Sequence, residues 1–368
     1  MPFDITRTEL VWPGKYDDQG RRREVERVSL PFQVIERVNE SRATRESEKT
    51  RNPTLFDVWQ GDAAETFEDG WRNKLVWGDN KLVMSSLLDQ FAGKIDLIYI
   101  DPPFATGADF SMSVPIGESD GEVFKEQSLI EEKAYRDTWG AGQASYLTML
   151  SERLSLMRDL LSEDGSIFLH LDPGMAARGR LLLDEYFGDN SLINEIIWCY
   201  RGGGVPRTAF SRKHDVILWH GRGESHFFEP QYVPYSEASQ ALVKGRGGTA
   251  IDDRPRDLER GAHMPDWWVD INSLQTWSPE RTGYDTQKPE PLLERIITAT
   301  SKPGALVADF FAGSGTTLVA AEKLGRRWIG ADLGRYAIHT TRKRLLDVEG
   351  CRPFEMLNLG KYERKYWA

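Results

Sequence analysis

The most informative stretch of this 368-residue chain is Lys94-Ile95-Asp96-Leu97-Ile98-Tyr99-Ile100-Asp101-Pro102-Pro103-Phe104. Its first seven residues are mostly apolar, β-branched or aromatic, which predicts a buried strand. The two prolines lack N–H donors and have a fixed φ, so the backbone must leave the sheet there. Two hydrogen-bond acceptors, the Asp101 carboxylate and the Pro102 carbonyl, then lie beside the Phe104 ring. This arrangement suits a planar amino-purine, although a surface turn would also explain the stretch by itself.

Strand and helix signals alternate on both sides of this stretch. The predicted strands are 75–77, 95–100, 167–171, 193–199, 215–220, 305–309 and 327–331, and the predicted helices are 80–88, 145–161, 175–186, 291–300, 316–324 and 335–348. Such alternation predicts an α/β fold, a doubly wound Rossmann-like sheet that is mostly parallel with one antiparallel strand. Residues 193–199 and 215–220 are expected to pair antiparallel.

The chain divides into four segments by composition and periodicity. Residues 1–73 are polar and charged and predict either a wrapping or partner-binding arm or a solvated, partly disordered one, with a short helix starting near Leu30. Residues 74–221 and 285–368 carry the alternating pattern and form the two parts of one domain. Residues 222–284 lose periodicity and look like an insertion, and the long loop 105–140 is typical of a lid or a mobile segment.

Composition limits the classes of function. The net charge of −10 argues against non-specific coating of nucleic acid, so any DNA contact must be local. Two cysteines without metal-ligand spacing suit a reducing compartment. The N-terminus shows no leader pattern and no apolar run could span a bilayer, so we expect a cytoplasmic protein with no membrane partner.

A second motif follows the strand that ends at Asp309. Phe310-Phe311-Ala312-Gly313-Ser314-Gly315-Thr316-Thr317 predicts a glycine turn leading into a helix, where a ligand can approach the backbone closely. Asp332 ends the next strand, about where doubly wound folds place an acid for ribose hydroxyls. The spacing differs from Gly-x-Gly-x-x-Gly and the phosphate-loop lysine is missing, which disfavours dinucleotides and nucleoside triphosphates. A glycine turn required only for packing remains an alternative.

Together the two motifs closely resemble those of the S-adenosylmethionine-dependent DNA amino-methyltransferases. The order, with the Asp-Pro-Pro-Phe motif first, resembles the permuted β class of adenine-N6 enzymes, and the nearest similarity is to modification subunits of type III restriction systems and their solitary relatives. The resemblance runs from about Leu75 to Leu346, interrupted at 222–280. Further matches are 75–79, 135–139, 165–172, 213–215 and 286–289.

The resemblance implies S-adenosylmethionine as cofactor, S-adenosylhomocysteine as product and no metal. It assigns the catalytic motif to Asp101, Pro102, Pro103 and Phe104: the first two accept the hydrogens of the target amine, and Phe104 stacks on a base flipped out of the duplex. The family usually has Tyr at the last position, but stacking needs only the ring. The residues it assigns to the cofactor are Asp79, Lys288, Asp309, Phe311, Gly313, Gly315, Thr316 and Asp332. For Asp79, capping of the next helix is an equal alternative.

DNA contacts are predicted for the stretch between the two antiparallel strands. Arg201, Arg207, Arg212 and Lys213 lie there, with no acid between Glu195 and Asp215. A solvated hairpin tip is the alternative. His170 and His214 are interpreted as structural, and the Trp267–Trp268 pair as packing.

The resulting hypothesis is a DNA adenine-N6 methyltransferase whose partners are DNA and either a second copy or a restriction or recognition subunit. Three alternatives stay open: a cytosine-N4 enzyme, an RNA substrate, and a non-catalytic DNA-binding subunit. Asp101 favours adenine, because the similar cytosine-N4 enzymes usually carry Ser there. The insertion is much shorter than in type III subunits, which puts autonomous recognition of a long site in doubt.

Overall fold

The computed structural model describes residues 8–50, 67, 69–103, 142–202, 206–235, 260–275, 277–284 and 286–360, together with the backbone of two strands at 112–115 and 122–125. Phe104, the rest of the 105–140 loop and residues 236–259 lie outside this described part.

The described residues form fourteen strands. They are β1 (Gln33–Val38), β2 (Asn73–Trp77), β3 (Ile95–Ile100), β4 (Met112–Pro115), β5 (Glu122–Lys125), β6 (Leu161–Leu171), β7 (Leu192–Cys199), β8 (His214–Gly221), β9 (Tyr232–Val233), β10 (Ala262–His263), β11 (Trp267–Trp268), β12 (Leu306–Asp309), β13 (Arg327–Asp332) and β14 (Phe354–Asn358).

The described residues also include seven helices. They are α1 (Arg42–Thr50), α2 (Asn80–Phe91), α3 (Gln143–Leu160), α4 (Pro173–Phe187), α5 (Glu290–Thr300), α6 (Thr316–Lys323) and α7 (Arg335–Leu346). Capping side chains fix where two of these helices begin. The Asp79 side chain accepts hydrogen bonds from the first backbone N–H groups of α2, and Asp172 caps α4, which has Pro173 in its first turn.

Ten strands form one sheet in the order β1-β14-β2-β13-β12-β3-β6-β8-β7-β11. Strand β8 runs antiparallel to both of its neighbours, and the six strands from β14 to β6 run parallel. The predicted doubly wound, mostly parallel sheet is confirmed. The edge strand β1, which pairs antiparallel with β14, is a second antiparallel strand that the sequence pattern did not predict.

Two apolar cores cover the two faces of this sheet. Helices α2, α3 and α4 pack on one face through buried residues such as Leu82, Leu150 and Leu182. Helices α5, α6 and α7 pack on the other face through residues such as Leu292 and Leu318. Because both faces are covered, the central strands are apolar on both sides, and only their ends are open to a ligand.

The prediction of a helix after Leu30 is wrong, because this segment forms β1. Val34 and Ile35 are both about half exposed, at 47% and 49%, so no apolar stripe holds a helix against the core. The edge of β14 instead offers unpaired backbone groups, which β1 satisfies. Elsewhere in the described part of the N-terminal segment, Trp12 is buried and its Nε1 donates a 2.8 Å hydrogen bond to Thr148 on α3. The described residues of the N-terminal segment therefore pack along the domain through β1 and Trp12.

The end of the insertion belongs to the main sheet. Strand β11 pairs in parallel with β7, placing Trp267 beside Ile197 and Trp268 beside Trp198. Trp268 is buried, whereas Trp267 is 56% exposed. The packing role expected for this pair therefore falls mainly to Trp268.

Candidate functional site

The candidate site lies at the carboxyl edge of the sheet, where β2, β3, β12 and β13 end side by side. Strand β12 lies between β3 and β13, with Val307 opposite Leu97 and Asp309 opposite Gly330. This register brings the loop after β3, which begins at Asp101, next to the glycine turn after β12. The two motifs are some 210 residues apart in sequence but occupy adjacent strand ends, the position where open α/β sheets bind ligands.

The glycine turn has a left-handed backbone at two positions, with φ of 50° at Gly313 and 76° at Gly315. A Cβ on Gly315 would lie 2.4 Å from Cγ2 of Thr341, so packing alone requires glycine there. A Cβ on Gly313 would lie 3.3 Å from the Tyr284 ring. Packing is thus sufficient to explain why position 315 is a glycine. Gly313 combines a positive φ with a close aromatic neighbour.

Asp332 joins this turn to the end of β13. Its Oδ2 accepts a 2.8 Å hydrogen bond from the backbone N–H of Gly313, and its Oδ1 accepts one of 2.7 Å from Gly334. A carboxylate oxygen can accept more than one hydrogen bond. The half-buried side chain can therefore fix the turn and also receive hydroxyl donors from a ligand.

Asp309 lies beneath the turn. It accepts hydrogen bonds from the Thr317 hydroxyl at 2.6 Å and from the Phe311 N–H at 2.9 Å. Burial raises the pKa of this carboxyl to about 7. Asp309 shapes the turn from below, and the direct cofactor contact assigned to it stays a prediction. Phe311 is half-buried, and Thr316, at the first residue of α6, is buried.

Asp79 occupies the helix-capping role that the sequence left open. It accepts hydrogen bonds from the N–H groups of Lys81 at 2.8 Å and Leu82 at 3.3 Å, and from Arg153 at 3.3 Å. The side chain is almost fully buried. Next to it, the Asn80 side chain donates to the Phe310 carbonyl at 2.8 Å. This bond, which was not predicted, fastens α2 to the glycine turn.

Asp101 forms an ion pair with Lys288, through its Oδ2. Both side chains are largely shielded from solvent, with 16% and 12% of their surfaces exposed. Pro102 is buried and Pro103 half-buried. The sequence placed Lys288 with the cofactor, whereas its ammonium lies against the carboxylate assigned to the target amine.

A buried polar cluster lies beside this pair on the α5 face of the sheet. The Tyr99 hydroxyl bonds to Nδ1 of His170 at 2.8 Å, and Nε2 of His170 bonds to Asp215 at 3.1 Å. The Tyr200 hydroxyl donates to the other oxygen of Asp215, also at 3.1 Å. Burial alone would raise the pKa of Asp215, but the hydrogen bond and charge of His170, the charge of Lys288 and the hydrogen bond of Tyr200 outweigh it, and the pKa is lowered. Burial and the charge of Asp101 raise the pKa of Tyr99.

The predicted DNA-contact residues lie in the loop between β7 and β8. Since β7 runs in the same direction as β6 and β3, this loop leaves the sheet at the same edge as Asp101. Arg201, Arg207 and Arg212 are exposed and Lys213 is half-buried, while residues 203–205 lie outside the described part. Phe210 is 98% exposed between Arg207 and Arg212. Phe210 is not among the predicted contact residues, although an aromatic residue inside an acid-free basic stretch is a signal for nucleic-acid contact.

Two features are absent from the described ranges. No helix in them is long and apolar enough to cross a bilayer. No group of three or more His, Cys, Asp or Glu side chains there is arranged to hold a metal ion.

Comparisons with known proteins place the chain among DNA methylases. A family model for N6 and N4 enzymes, described as DNA methylase, matches residues 95–343. The type II methyltransferase M.EcaI of Enterobacter cloacae is 28% identical over 330 residues, covering 74% of this chain and 69% of that protein. The StyLTI Mod subunit, a type III restriction-modification enzyme of Salmonella typhimurium, is 24% identical, covering 75% of this chain and 53% of that subunit. Among solved structures, the M1.HpyAVI–SAM complex superposes with a TM-score of 0.46 at 18% identity, covering 74% of this chain and 98% of that one.

Proposed function

This chain belongs to the N6/N4 DNA methylase family, and from that premise we propose that it transfers a methyl group from S-adenosylmethionine to N6 of an adenine flipped out of DNA. The observation that carries the proposal is the adjacency of the Asp101 loop and the glycine turn. A hydrogen-bond acceptor for an amine and a turn suited to a cofactor lie at neighbouring strand ends.

The residues at these strand ends fit the cofactor by their chemistry. Asp332 supplies a half-buried carboxylate for ribose hydroxyls, and the backbone from Phe311 to Thr316 leads into α6, where a carboxylate group is favoured near the helix start. When bound, S-adenosylmethionine supplies a methyl group already activated by its sulfonium. Lys288 pairs with Asp101, and Asp79 caps α2, so the cofactor contacts assigned to these two side chains are additional to the roles that the structure gives them.

Asp101 and Pro102 act on the amine. An exocyclic nitrogen is a poor nucleophile because its lone pair is delocalised into the ring. When the Asp101 carboxylate and the Pro102 carbonyl accept hydrogen bonds from its two N–H groups, the nitrogen moves toward sp³ geometry and its lone pair is directed away from the ring. Catalysis is then largely positioning and electrostatics. Pro103 stiffens this loop, and Phe104 is proposed to stack on the extruded base.

Adenine is favoured over cytosine by the acid at position 101. Both bases present an exocyclic amine, so the same geometry serves a cytosine-N4 enzyme, and this remains the second candidate. Relatives of the chain include modification subunits of type III systems. A restriction or recognition subunit or a second copy is accordingly proposed as a partner that completes the DNA footprint.

The β7–β8 loop is the proposed DNA contact. Residues 200–214 contain four basic side chains and no acid, on a chain whose net charge is −10. Positive charge concentrated at this edge favours phosphate contacts there. The exposed ring of Phe210 adds a surface on which a base can stack.

Two measurements test the proposal. Purified protein is incubated with labelled S-adenosylmethionine and duplex DNA, and genomic DNA from cells expressing the protein is read by long-read sequencing. We expect label in DNA and a modified adenine within one short sequence. Modified cytosine would establish the second candidate, and a chain that binds DNA but never transfers label would establish a non-catalytic subunit.

A further inference from the structure

The structure gives Lys288 a partner that the sequence did not assign to it. Its ammonium pairs with Oδ2 of Asp101, whereas Oδ1 accepts no hydrogen bond from any residue in the described part of the chain. Among the described residues, the carboxylate is thus held through one oxygen only, and the other can accept from a ligand. We propose that Lys288 is a positioning residue, which orients Asp101 so that Oδ1 receives the target amine. This inference rests on the methyltransferase function proposed above.

The backbone of Lys288 is anchored at the glycine turn. Its carbonyl accepts a 3.3 Å hydrogen bond from Thr316, the first residue of α6. The next residue, Pro289, is the cap of α5. On the other side, the Gln287 side chain accepts hydrogen bonds from Thr282 at 2.7 and 2.8 Å. Lys288 therefore links the two halves of the site, with its backbone on the cofactor turn and its side chain on the amine acceptor.

A second acid balances the charge of Lys288. The ammonium acts electrostatically on Asp215, which is held by His170 and Tyr200. His170 in turn bonds to Tyr99, which lies on β3 two residues before Asp101. A buried cation costs much solvation unless it is paired. Two carboxylates, Asp101 and Asp215, therefore balance the positive charge of the Lys288 ammonium, which is largely shielded from solvent.

The role predicts a particular pattern of defects. Losing the ammonium frees the Asp101 side chain to rotate, and a misplacement of about 1 Å near a reacting atom can cost about a hundredfold in rate. The cofactor surface keeps Gly313 and Asp332 and should bind as before. A residue that contacts the cofactor directly would give the opposite pattern, weaker binding with a normal rate at saturation.

The experiment compares Lys288→Met and Lys288→Arg with the unmodified protein and a matched control, Lys323→Met. Lys323 also pairs with an acid, Glu290, but not at Asp101. S-adenosylmethionine affinity is measured by calorimetry, and the rate of methyl transfer in a single turnover with both ligands saturating.

We expect Lys288→Met to keep its cofactor affinity within about threefold and to lose about a hundredfold in rate, Lys288→Arg to recover part of the rate, and the control to behave normally. Retained cofactor binding also reports that the variant is folded. If Lys288→Met binds the cofactor poorly but transfers normally at saturation, or if its rate is unchanged, Lys288 does not position Asp101. If the unmodified protein transfers nothing, the proposed function itself is wrong, which this design separates from failure of the Lys288 inference.

Discussion

The backbone N–H of Gly313 donates a 2.8 Å hydrogen bond to Oδ2 of Asp332, and this bond joins the turn after β12 to the end of β13. One carboxylate thus sets the shape of the proposed methionine site and offers acceptors for the proposed ribose site. Changes at either residue should therefore act on the same ligand.

Asp332→Ala should weaken S-adenosylmethionine binding at least tenfold, because hydrogen bonds to a charged group contribute roughly 1.5–3 kcal/mol. Gly313→Val should weaken it as well, since its Cβ would meet the Tyr284 ring at 3.3 Å and its φ is 50°. Calorimetry measures both affinities. Unchanged affinity in both variants would mean that the cofactor binds in another crevice.

Asp101→Ala should abolish methyl transfer and leave S-adenosylmethionine affinity nearly intact, because it removes an acceptor for the amine and not a cofactor contact. Asp270→Ala is the matched control: it removes an acid paired with Arg295 that is about half exposed. Transfer is followed as label incorporated into DNA. Turnover in Asp101→Ala comparable to that of the control would contradict the mechanism.

Phe104→Ala should reduce base flipping and slow transfer, whereas Phe104→Tyr should be near neutral. Stacking of a base on an aromatic ring contributes roughly 1–3 kcal/mol, and both Phe and Tyr supply the ring. Fluorescence of 2-aminopurine at the target position reports flipping. Equal fluorescence in Phe104→Ala and the unmodified protein would remove this residue from the mechanism.

Neutralising Arg207 and Arg212 together should weaken DNA binding for all sequences alike. A plot of the logarithm of the binding constant against the logarithm of the salt concentration should also become flatter, by about one unit of slope for each phosphate that the protein no longer neutralises. A double variant at Arg37 and Arg42 makes the same change in charge and serves as control. These residues lie on β1 and α1, and β1 is at the other end of the strand order from β7 and β8. Affinity is measured against salt concentration. Retained affinity with a changed target sequence would show that the loop arginines contact bases.

Asp309 should make the protein less stable as the pH rises. Burial raises the pKa of Asp309 from 3.8 to about 7, so the folded state binds this proton more tightly than the unfolded state. The resulting stability is fully present below pH 3.8 and is lost as the pH rises through 7. At about 1.4 kcal/mol per pKa unit, the effect is at most about 4 to 5 kcal/mol.

Urea unfolding at pH 5 and pH 8 checks this linkage, with Asp309→Asn as the comparison. Asn keeps an oxygen that can accept from the Phe311 N–H but cannot titrate. The unmodified protein should lose more free energy of unfolding between the two pH values than the variant does. A parallel loss in both proteins would show that other groups produce the pH dependence.

Local sequence patterns were sufficient for most elements and for the two motifs. The apolar run before Asp101 and the glycines after Asp309 are short-range signals, and the structure places a strand or a turn at each of them. Capping by Asp79 was also foreseeable, because an acid before an amphipathic helix accepts the first N–H groups of the helix. Local signals were insufficient for β1, which forms only because β14 has an open edge.

The sequence by itself determined which residues carry acceptors, glycines and positive charge, since these are properties of side chains and local backbone. Only the tertiary structure decided which of them meet. Placing β12 between β3 and β13 depends on strand pairing across some 210 residues, and such pairing follows from covering both faces of the sheet rather than from any local pattern. For the same reason, the sequence around Lys288 could not predict its ion pair with Asp101, which is 187 positions away.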